Sequence, residues 1–327
     1  MGFYTDERID FINSLLLATG YWQKMFRLQK GEAWKGNKYQ KTFEAMMKSH
    51  QLHAFYPILK SISDMNPPAS AFLQMMLFLT DDCKKTLDDV DIYELIPPQL
   101  DAEEFLRAIA DLKLKYQYSV RVQQTEEERK RLCKRADEAF RMEDAKYLIE
   151  ETFPMSKESA EPELVLSPLS TGNFIFNAAE KNYIIVSPVA KDDEAEPWTF
   201  ANRYNMHARY YQLKLESSLE ADTEQFVHIM NKGERRFSDK AYSAKSGLDD
   251  REALKASVRN ALSAYLIEEE STEEQAQQIL TTAKKRGLSL VGAAYDIAKR
   301  TFEESKDSTF RKELFYPQLV SFIEKSL

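Results

Sequence analysis

Glycine is scarce in this chain, with 9 in 327 residues, and cysteine scarcer still, with Cys83 and Cys133 alone. Few turn formers beside abundant Leu, Glu, Lys, Ala and Met weigh against a turn-rich all-β fold and favour helix. Two cysteines without a C-x-x-C pair exclude a cysteine zinc cluster and a disulfide framework, and leave two free thiols or a single bridge. No run approaches the roughly 18 apolar residues that span a bilayer, and no charged leader with an apolar stretch opens the chain. The chain therefore reads as soluble, whether cytoplasmic or exported with a signal removed. An excess of positive charge is also missing: the net charge is −8 and the pI about 5.3. That balance excludes non-specific binding to nucleic acid or anionic membranes, which rests on Lys and Arg. G-x-S-x-G, G-x-x-x-x-G-K-S/T and G-x-G-x-x-G are all lacking, so a nucleophile elbow, a phosphate loop and a dinucleotide fingerprint have no support.

What is present is a core. Hydrophobic residues make up 43% and aromatics 12%, with 19 Phe and 16 Tyr, far more than a disordered chain carries. Ile9, Ile12, Leu15 and Leu16 recur at the spacing of one helical face behind the start signal Thr5-Asp6-Glu7. Further helices are expected from about Tyr39 through Phe43, from His53 to Ile62, and from Phe72 to Leu79. Asp101 with Glu104 and Thr125 with Glu128 read as capping boxes. From Glu163 the pattern changes to short β-favouring runs, Leu164-Val165-Leu166, Phe174-Ile175-Phe176 and Tyr183-Ile184-Ile185-Val186. The piece 177–182 has the length of a hairpin loop, so an antiparallel meander is expected. Helical spacing returns with Phe200, Tyr204, His207, Tyr211 and Leu215, then with Leu254, Val258, Leu262 and Leu266, and Tyr295, Phe302, Phe315, Leu319 and Phe322 anchor the last helices. The expected class is mainly α (α+β), divided into a helical region 1–155 and a region 156–327 that holds the small antiparallel sheet and further helices.

Chemistry-bearing residues are few. His50 and His53 share a helical face but have no third ligand at a suitable offset, which points to a structural or surface role. The basic run from Arg129 to Arg135 is flanked by Glu126, Glu127, Glu128, Asp137 and Glu138 and reads as a solvated face; Cys133 lies within it without a base tied to it by motif. His207-Ala208-Arg209-Tyr210-Tyr211 is the most informative stretch, because it follows the small sheet on a helix. A zinc peptidase places H-E-x-x-H there, with His at i and i+4 on one metal and Glu at i+1 as base toward the metal-bound water. Here Ala208 stands at the base position and Tyr211 at the second ligand position.

With these residues the chain resembles a bacterial family of gluzincin-like, zincin-fold metallopeptidases with a degenerate H-E-x-x-H. The resemblance extends over most of the chain, from Glu7-Arg8-Ile9-Asp10-Phe11-Ile12 and Lys48-Ser49-His50 to Tyr242, Glu252-Ala253-Leu254-Lys255-Ala256 and Leu314-Phe315-Tyr316-Pro317-Gln318-Leu319. It implies a zincin-like C-terminal helical region in which Glu252 holds the third-ligand position, so that His207, Tyr211 and Glu252 are vestiges of a metal site. One His and one Glu bind zinc poorly, so no cofactor is expected. The expected function is then a catalytically silent relative that binds a peptide or protein segment in the former cleft. Arg203, Tyr204, Arg209, Tyr210 and Tyr183 are the contact candidates, and Tyr183–Val186 is an edge open to β-augmentation. Two alternatives are an active hydrolase with a rearranged site, using His207 as base or metal ligands that include His228, and a helical scaffold whose cleft is filled by side chains. Filled space at Ala208 and Tyr211 favours the scaffold; an open groove favours the binder.

Overall fold

The computed structural model describes residues 1–30, 36, 40–41, 43–45, 69–84, 92–96, 101–170, 172–190, 198–221, 250–305 and 309–325. His50, His53, His228 and Tyr242, and the helix expected over His53 to Ile62, lie outside the described residues. The fold is mainly helical with a small sheet. Two compact units are formed by residues 1–139 with 162–201 and by 140–161 with 202–327. The division expected at residue 155 is thus drawn differently. The strands cluster with the first half because Val165, Tyr183 and Ile185 are buried in its core. Residues 140–161 join the second unit, where Phe153 packs on Phe302 and Phe310.

In the first unit α1 (Glu7–Ala18), α2 (Tyr21–Lys30), α3 (Ala69–Leu77), α4 (Ala102–Lys115) and α5 (Tyr118–Gln124) precede α6 (Glu126–Phe140), whose last residue belongs to the second unit. Asp6, rather than Thr5, caps α1: its carboxylate accepts from the Arg8 and Ile9 amides, satisfying donors that a helix start leaves open. Asp101 caps α4 as its spacing predicts, accepting from the Glu104 amide at 2.9 Å. Thr125 does not repeat that motif. Its hydroxyl donates back to the Val122 carbonyl at 3.1 Å, serving the end of α5 instead of the start of α6. Ile9, Ile12, Leu15 and Leu16 are buried with Phe72, Leu73, Phe105 and Ile109, and because every residue from Ile9 to Ala18 is buried, α1 is enclosed on all faces and not on the predicted face alone.

The sheet runs β1 (Glu163–Leu166), β3 (Lys181–Val186), β2 (Phe174–Ala178) across its width. β2 and β3 form the expected antiparallel hairpin, Phe174 opposite Ile185 and Ala178 opposite Lys181. β1, however, runs parallel to β3, Glu163 opposite Tyr183, so the sheet is mixed and is no meander. Burial gives the reason. Leu164-Val165-Leu166 and Ile184-Ile185-Val186 are wholly buried, whereas Phe174, Ile175 and Phe176 remain half-buried. The two continuous apolar runs, suited to strands covered on both faces, pair with each other, and the more exposed run takes the edge. Tyr4 adds a parallel bridge on the far side of β1 at Val165. A separate two-stranded ribbon joins β4 (Val189–Ala190) to β5 (Trp198–Thr199).

The second unit holds α7 (Met142–Thr152), α8 (Arg203–Ala221), α9 (Asp250–Glu270), α10 (Glu273–Lys285), α11 (Val291–Ser305) and α12 (Lys312–Lys325). α9 packs on α8, α10 and α11 with Leu254, Val258, Leu262 and Leu266 fully buried, as their spacing predicts. Tyr265 stacks on Phe302 with ring centroids 4.2 Å apart, and Phe310 joins Phe153 to Phe315. Phe322, expected as an anchor, is among the exposed apolar side chains. Among the described residues no helix is long and apolar enough to cross a membrane.

Candidate functional site

The segment that carries the zinc-peptidase comparison lies in α8, and its spacing does what the geometry of a helix requires: His207 and Tyr211, four apart, turn toward one point. That point is occupied by a carboxylate. Glu270, the last residue of α9, accepts from the Tyr211 hydroxyl at 2.8 Å with Oε2, and its Oε1 lies 2.5 Å from His207 Nδ1. The second ring nitrogen, Nε2, lies 2.5 Å from the Phe140 carbonyl oxygen. A carbonyl only accepts, so Nε2 carries a proton, and the His207–Glu270 contact shares one more between ring and carboxylate. Both ring nitrogens are therefore engaged by the protein. His207 and Tyr211 are 0% exposed and Ala208 4%, and Ser263 of α9 donates to the Ala208 carbonyl at 3.2 Å. The space beside the motif is filled. Burial, followed by the nearby Glu270 charge, pushes the Tyr211 phenol far above its ordinary value of 10.0, which disfavours a phenolate ligand.

Glu252 does not join them. Eighteen residues separate it from Glu270 on the continuous α9, which at 1.5 Å per residue is about 27 Å along the axis. It is 44% exposed and pairs with Lys255 at 3.2 Å. Among the described residues no three His, Cys, Asp or Glu side chains gather as a metal would need.

The contact candidates divide by burial. Tyr210 is fully buried and donates to Glu161 at 2.9 Å. Glu161 also takes Lys214 at 3.1 Å and Lys146 at 3.3 Å. Burial of Glu161 opposes ionisation, but hydrogen bonds from Lys214 and Tyr210 outweigh it and hold the carboxyl below its ordinary range. Tyr210 is thus a packing residue. Arg203 and Tyr204 hold each other: a guanidinium nitrogen donates to the Tyr204 oxygen at 2.9 Å and its carbon lies 4.8 Å from the ring centre. Arg209 is half-buried on the same helix. Tyr183 is buried in β3, which is paired on both sides. Tyr183–Val186 is therefore a central strand, and the expectation of an edge open to augmentation there is overturned.

Glu270 escaped sequence reasoning because it ends Glu268-Glu269-Glu270, a run that reads as solvated. Three acids at a helix C-terminus are unfavourable to the helix dipole, and each here has a phenol: Glu268 takes Tyr295 and Lys299, Glu269 takes Tyr265, and Glu270 takes Tyr211. An acidic run at that end of a helix is the signal that was available.

The first unit holds a second polar centre. Asp10 and Arg129, 1% and 4% exposed, face each other with 2.9 Å between Oδ2 and a guanidinium nitrogen, off the line of a hydrogen bond. Ser167 donates to Asp10 Oδ1 at 2.7 Å and accepts from Asn13 at 3.0 Å, and Arg129 Nε donates to Thr5 at 3.0 Å. Arg129 thus departs from the basic run, while Lys130 and Lys134 pair with Glu126 and Glu138 as a solvated face does. Beside it a cleft of about 580 Å³ is lined by Phe3, Tyr4, Thr5, Glu126, Arg129 and Cys133, among others. Cys83 and Cys133 are free and buried. Burial, before any neighbouring charge, pushes each thiol up to about 11, so neither offers a thiolate at neutral pH.

No family model, curated protein or solved structure matches the chain.

Proposed function

We propose that the protein works by binding and not by catalysis, as a helical scaffold for a peptide or protein segment in which the His207 centre locks helices together. The observation that carries this reading is the closure of that centre: His207 uses both ring nitrogens on Glu270 and Phe140, and Ala208 and Tyr211 are buried where a cleft would open. A general base needs a nitrogen within reach of substrate, and a catalytic zinc site needs three protein ligands with an open fourth position. The helical first unit, with its concave surface at Phe3–Thr5 and α6, is the face for the partner in this reading. Replacement of the exposed side chains there, Tyr4 and Lys130, would lower partner affinity without altering the fold.

The test is elemental analysis and a peptidase assay on protein purified without chelator, with thermal unfolding of wild type and His207→Ala. The expected result is no stoichiometric zinc, no hydrolysis, and a lower unfolding midpoint for His207→Ala. One zinc per chain, lost in His207→Ala, would overturn the reading and favour the rearranged hydrolase.

A further inference from the structure

The two edges of the three-stranded sheet are finished differently. At the β1 edge the chain covers itself: the Tyr4 amide donates to the Leu164 carbonyl at 3.0 Å, and the Tyr4 carbonyl accepts from the Leu166 amide at 2.8 Å. The other edge is β2, Phe174-Ile175-Phe176-Asn177-Ala178. The Val186 carbonyl accepts from the Ser167 amide, on the β1 side, at 2.9 Å. Backbone groups of successive strand residues point to opposite sides, so Asn182, Ile184 and Val186 address β1, and Lys181, Tyr183 and Ile185 address β2. Ala178, Phe176 and Phe174 lie opposite those last three and bond to them, which turns the amides and carbonyls of Ile175 and Asn177 away from the sheet. The Asn177 carbonyl agrees, since it accepts from Gln74 Nε2 of α3 at 2.7 Å. Among the described residues the outward amide and carbonyl of Ile175 meet no partner.

An open edge is ordinarily protected by a charge, a proline or a bulge. β2 has none of these: its register with β3 is unbroken, and residues 164–179 carry no charge in a chain of which 30% is charged. Phe174, Ile175 and Phe176 are half-buried, so apolar surface remains on both faces of the strand. We propose that β2 is the contact of a homodimer, in which a second copy of the chain adds its own β2 antiparallel about a two-fold axis through Ile175. That axis sets Ile175 opposite Ile175 of the partner subunit, each amide donating to the other's carbonyl, so one operation satisfies all four groups. The same register sets Phe174 opposite Phe176 of the partner subunit, and the reverse, which covers both rings with aromatic cross-strand pairs. Charge selects this occupant. A two-fold doubles every charge near it, and β2 has none to oppose itself, whereas a charged foreign strand would find no counter-charge here. The contact goes beyond the scaffold reading and lies at the opposite edge of the sheet from Tyr4, leaving the cleft at Phe3–Thr5 to its own partner.

Sedimentation equilibrium of the full chain between about 1 and 100 μM measures the mass. Wild type is expected to pass from one chain toward two and no further, since the pairing consumes the edge, and hydrogen exchange at the Ile175 amide is expected to slow as the dimer forms. Ile175→Pro removes the outward amide, which β3 does not use, and is expected to weaken dimerisation by about tenfold or more. Ile175→Lys and Ile175→Glu, each checked for folding by circular dichroism, place like charges face to face across the axis. Each alone is expected to be a monomer, and an equimolar mixture of the two to recover the dimer, which reads the register even if Ile175→Pro does not fold. A wild type that stays a single chain throughout overturns the proposal and leaves the edge to an extended segment of another protein. Growth beyond two chains, dimerisation kept in full by Ile175→Pro, or a folded Lys and Glu mixture that stays monomeric also overturns it. Exchange at the wild-type Ile175 amide that does not change with concentration overturns it whatever the variants do.

Discussion

Asp10 in the first unit and His207 in the second are both buried polar groups on helices, each facing a partner far away in sequence, but their partners meet them differently. His207 has two protein acceptors in hydrogen-bond range and shares Glu270 with Tyr211. Asp10 has Ser167 on one oxygen, while the other lies close to Arg129 without an aligned hydrogen bond. Asn13 Oδ1 beside it is also buried without a partner. A buried network whose members are all satisfied rigidifies a core, whereas a partly satisfied one is held against the desolvation of its charges. The second unit thus has the better-made polar centre and the first the more strained.

The largest test of that contrast is deletion. Asp10→Ala strips a buried guanidinium of its carboxylate and is expected to destabilise by about 3–5 kcal/mol. His207→Ala leaves the Phe140 carbonyl without its donor and opens a small cavity, for an expected loss of about 2–3 kcal/mol. Urea unfolding of both variants checks the order. The reverse order would mean that Arg129 finds compensation in Thr5 and other contacts. A sharper form replaces both members at once. Asp10→Leu with Arg129→Met removes the desolvation burden of two ions, and is expected to recover about 1–4 kcal/mol relative to Asp10→Ala. If the double variant is no more stable than the single, the ion pair is a net stabiliser and the contrast between the units fails.

A pH series separates the two centres by sign. Burial raises the Asp10 carboxyl to about 6 from an ordinary 3.8, against the opposing pull of Arg129 and Ser167. The folded protein therefore binds more protons at this site than the unfolded chain between those values. Its contribution to stability is fully present below about 3.8 and is lost as pH rises through about 6. A shift of about two units corresponds to roughly 3 kcal/mol at full extent. Wild type should lose stability relative to Asp10→Asn between pH 4 and pH 7, measured as the difference in urea midpoints. A difference that is flat across that range would show that Asp10 is ionised throughout and that its pairing with Arg129 is tighter than the geometry implies.

These two centres also mark how far the sequence could be read. Local rules worked where one element decides the outcome. The Asp101 cap, the face of Leu254, Val258, Leu262 and Leu266, and the antiparallel pairing of β2 with β3 follow from spacing and propensity alone, although the loop expected over 177–182 shrinks to Ala179-Glu180 because its flanks pair as strand. Most of what failed depended on pairings across the chain, while the Thr125 box failed locally because its hydroxyl serves the end of α5. The parallel partnership of β1 and β3 is settled by which runs are buried on both faces, and no local pattern reports it. Arg129 shares a basic run with Lys130, Arg131, Lys134 and Arg135 and differs from these cations in being buried with Asp10 opposite. The convergence of His207 and Tyr211 was legible from their spacing, but their partner, Glu270, comes from the far end of another helix, so the spacing alone could not name the carboxylate that holds both.

The smallest prediction concerns backbone strain, which both units carry. In the first, the loop of the β2–β3 hairpin is Ala179-Glu180 with φ of 47° and 60°, the two positive values that a type I′ turn requires and that Asn-Gly meets more easily. In the second, Arg141 enters α7 with φ of 50°. A residue with a Cβ pays about 1 kcal/mol for that conformation, so Gly relieves strain at both places. Ala179 leans on the core and is left alone; Glu180 is exposed and free to change. Glu180→Gly is expected to stabilise by about 0.5–1 kcal/mol, which is roughly 1–4 °C in the midpoint for a unit of this size. Arg141→Gly gains the same relief but gives up the 2.7 Å pair with Asp144, which is solvent-exposed and worth only a few tenths of a kcal/mol, and it leaves Gly rather than Arg at the entry to a helix. Its expected gain is therefore smaller, near 0–0.5 kcal/mol. Thermal unfolding of the two variants side by side decides the matter: equal gains would mean the Asp144 pair contributes nothing, and a loss at Glu180→Gly would mean the hairpin tip is held by contacts that outweigh its strain.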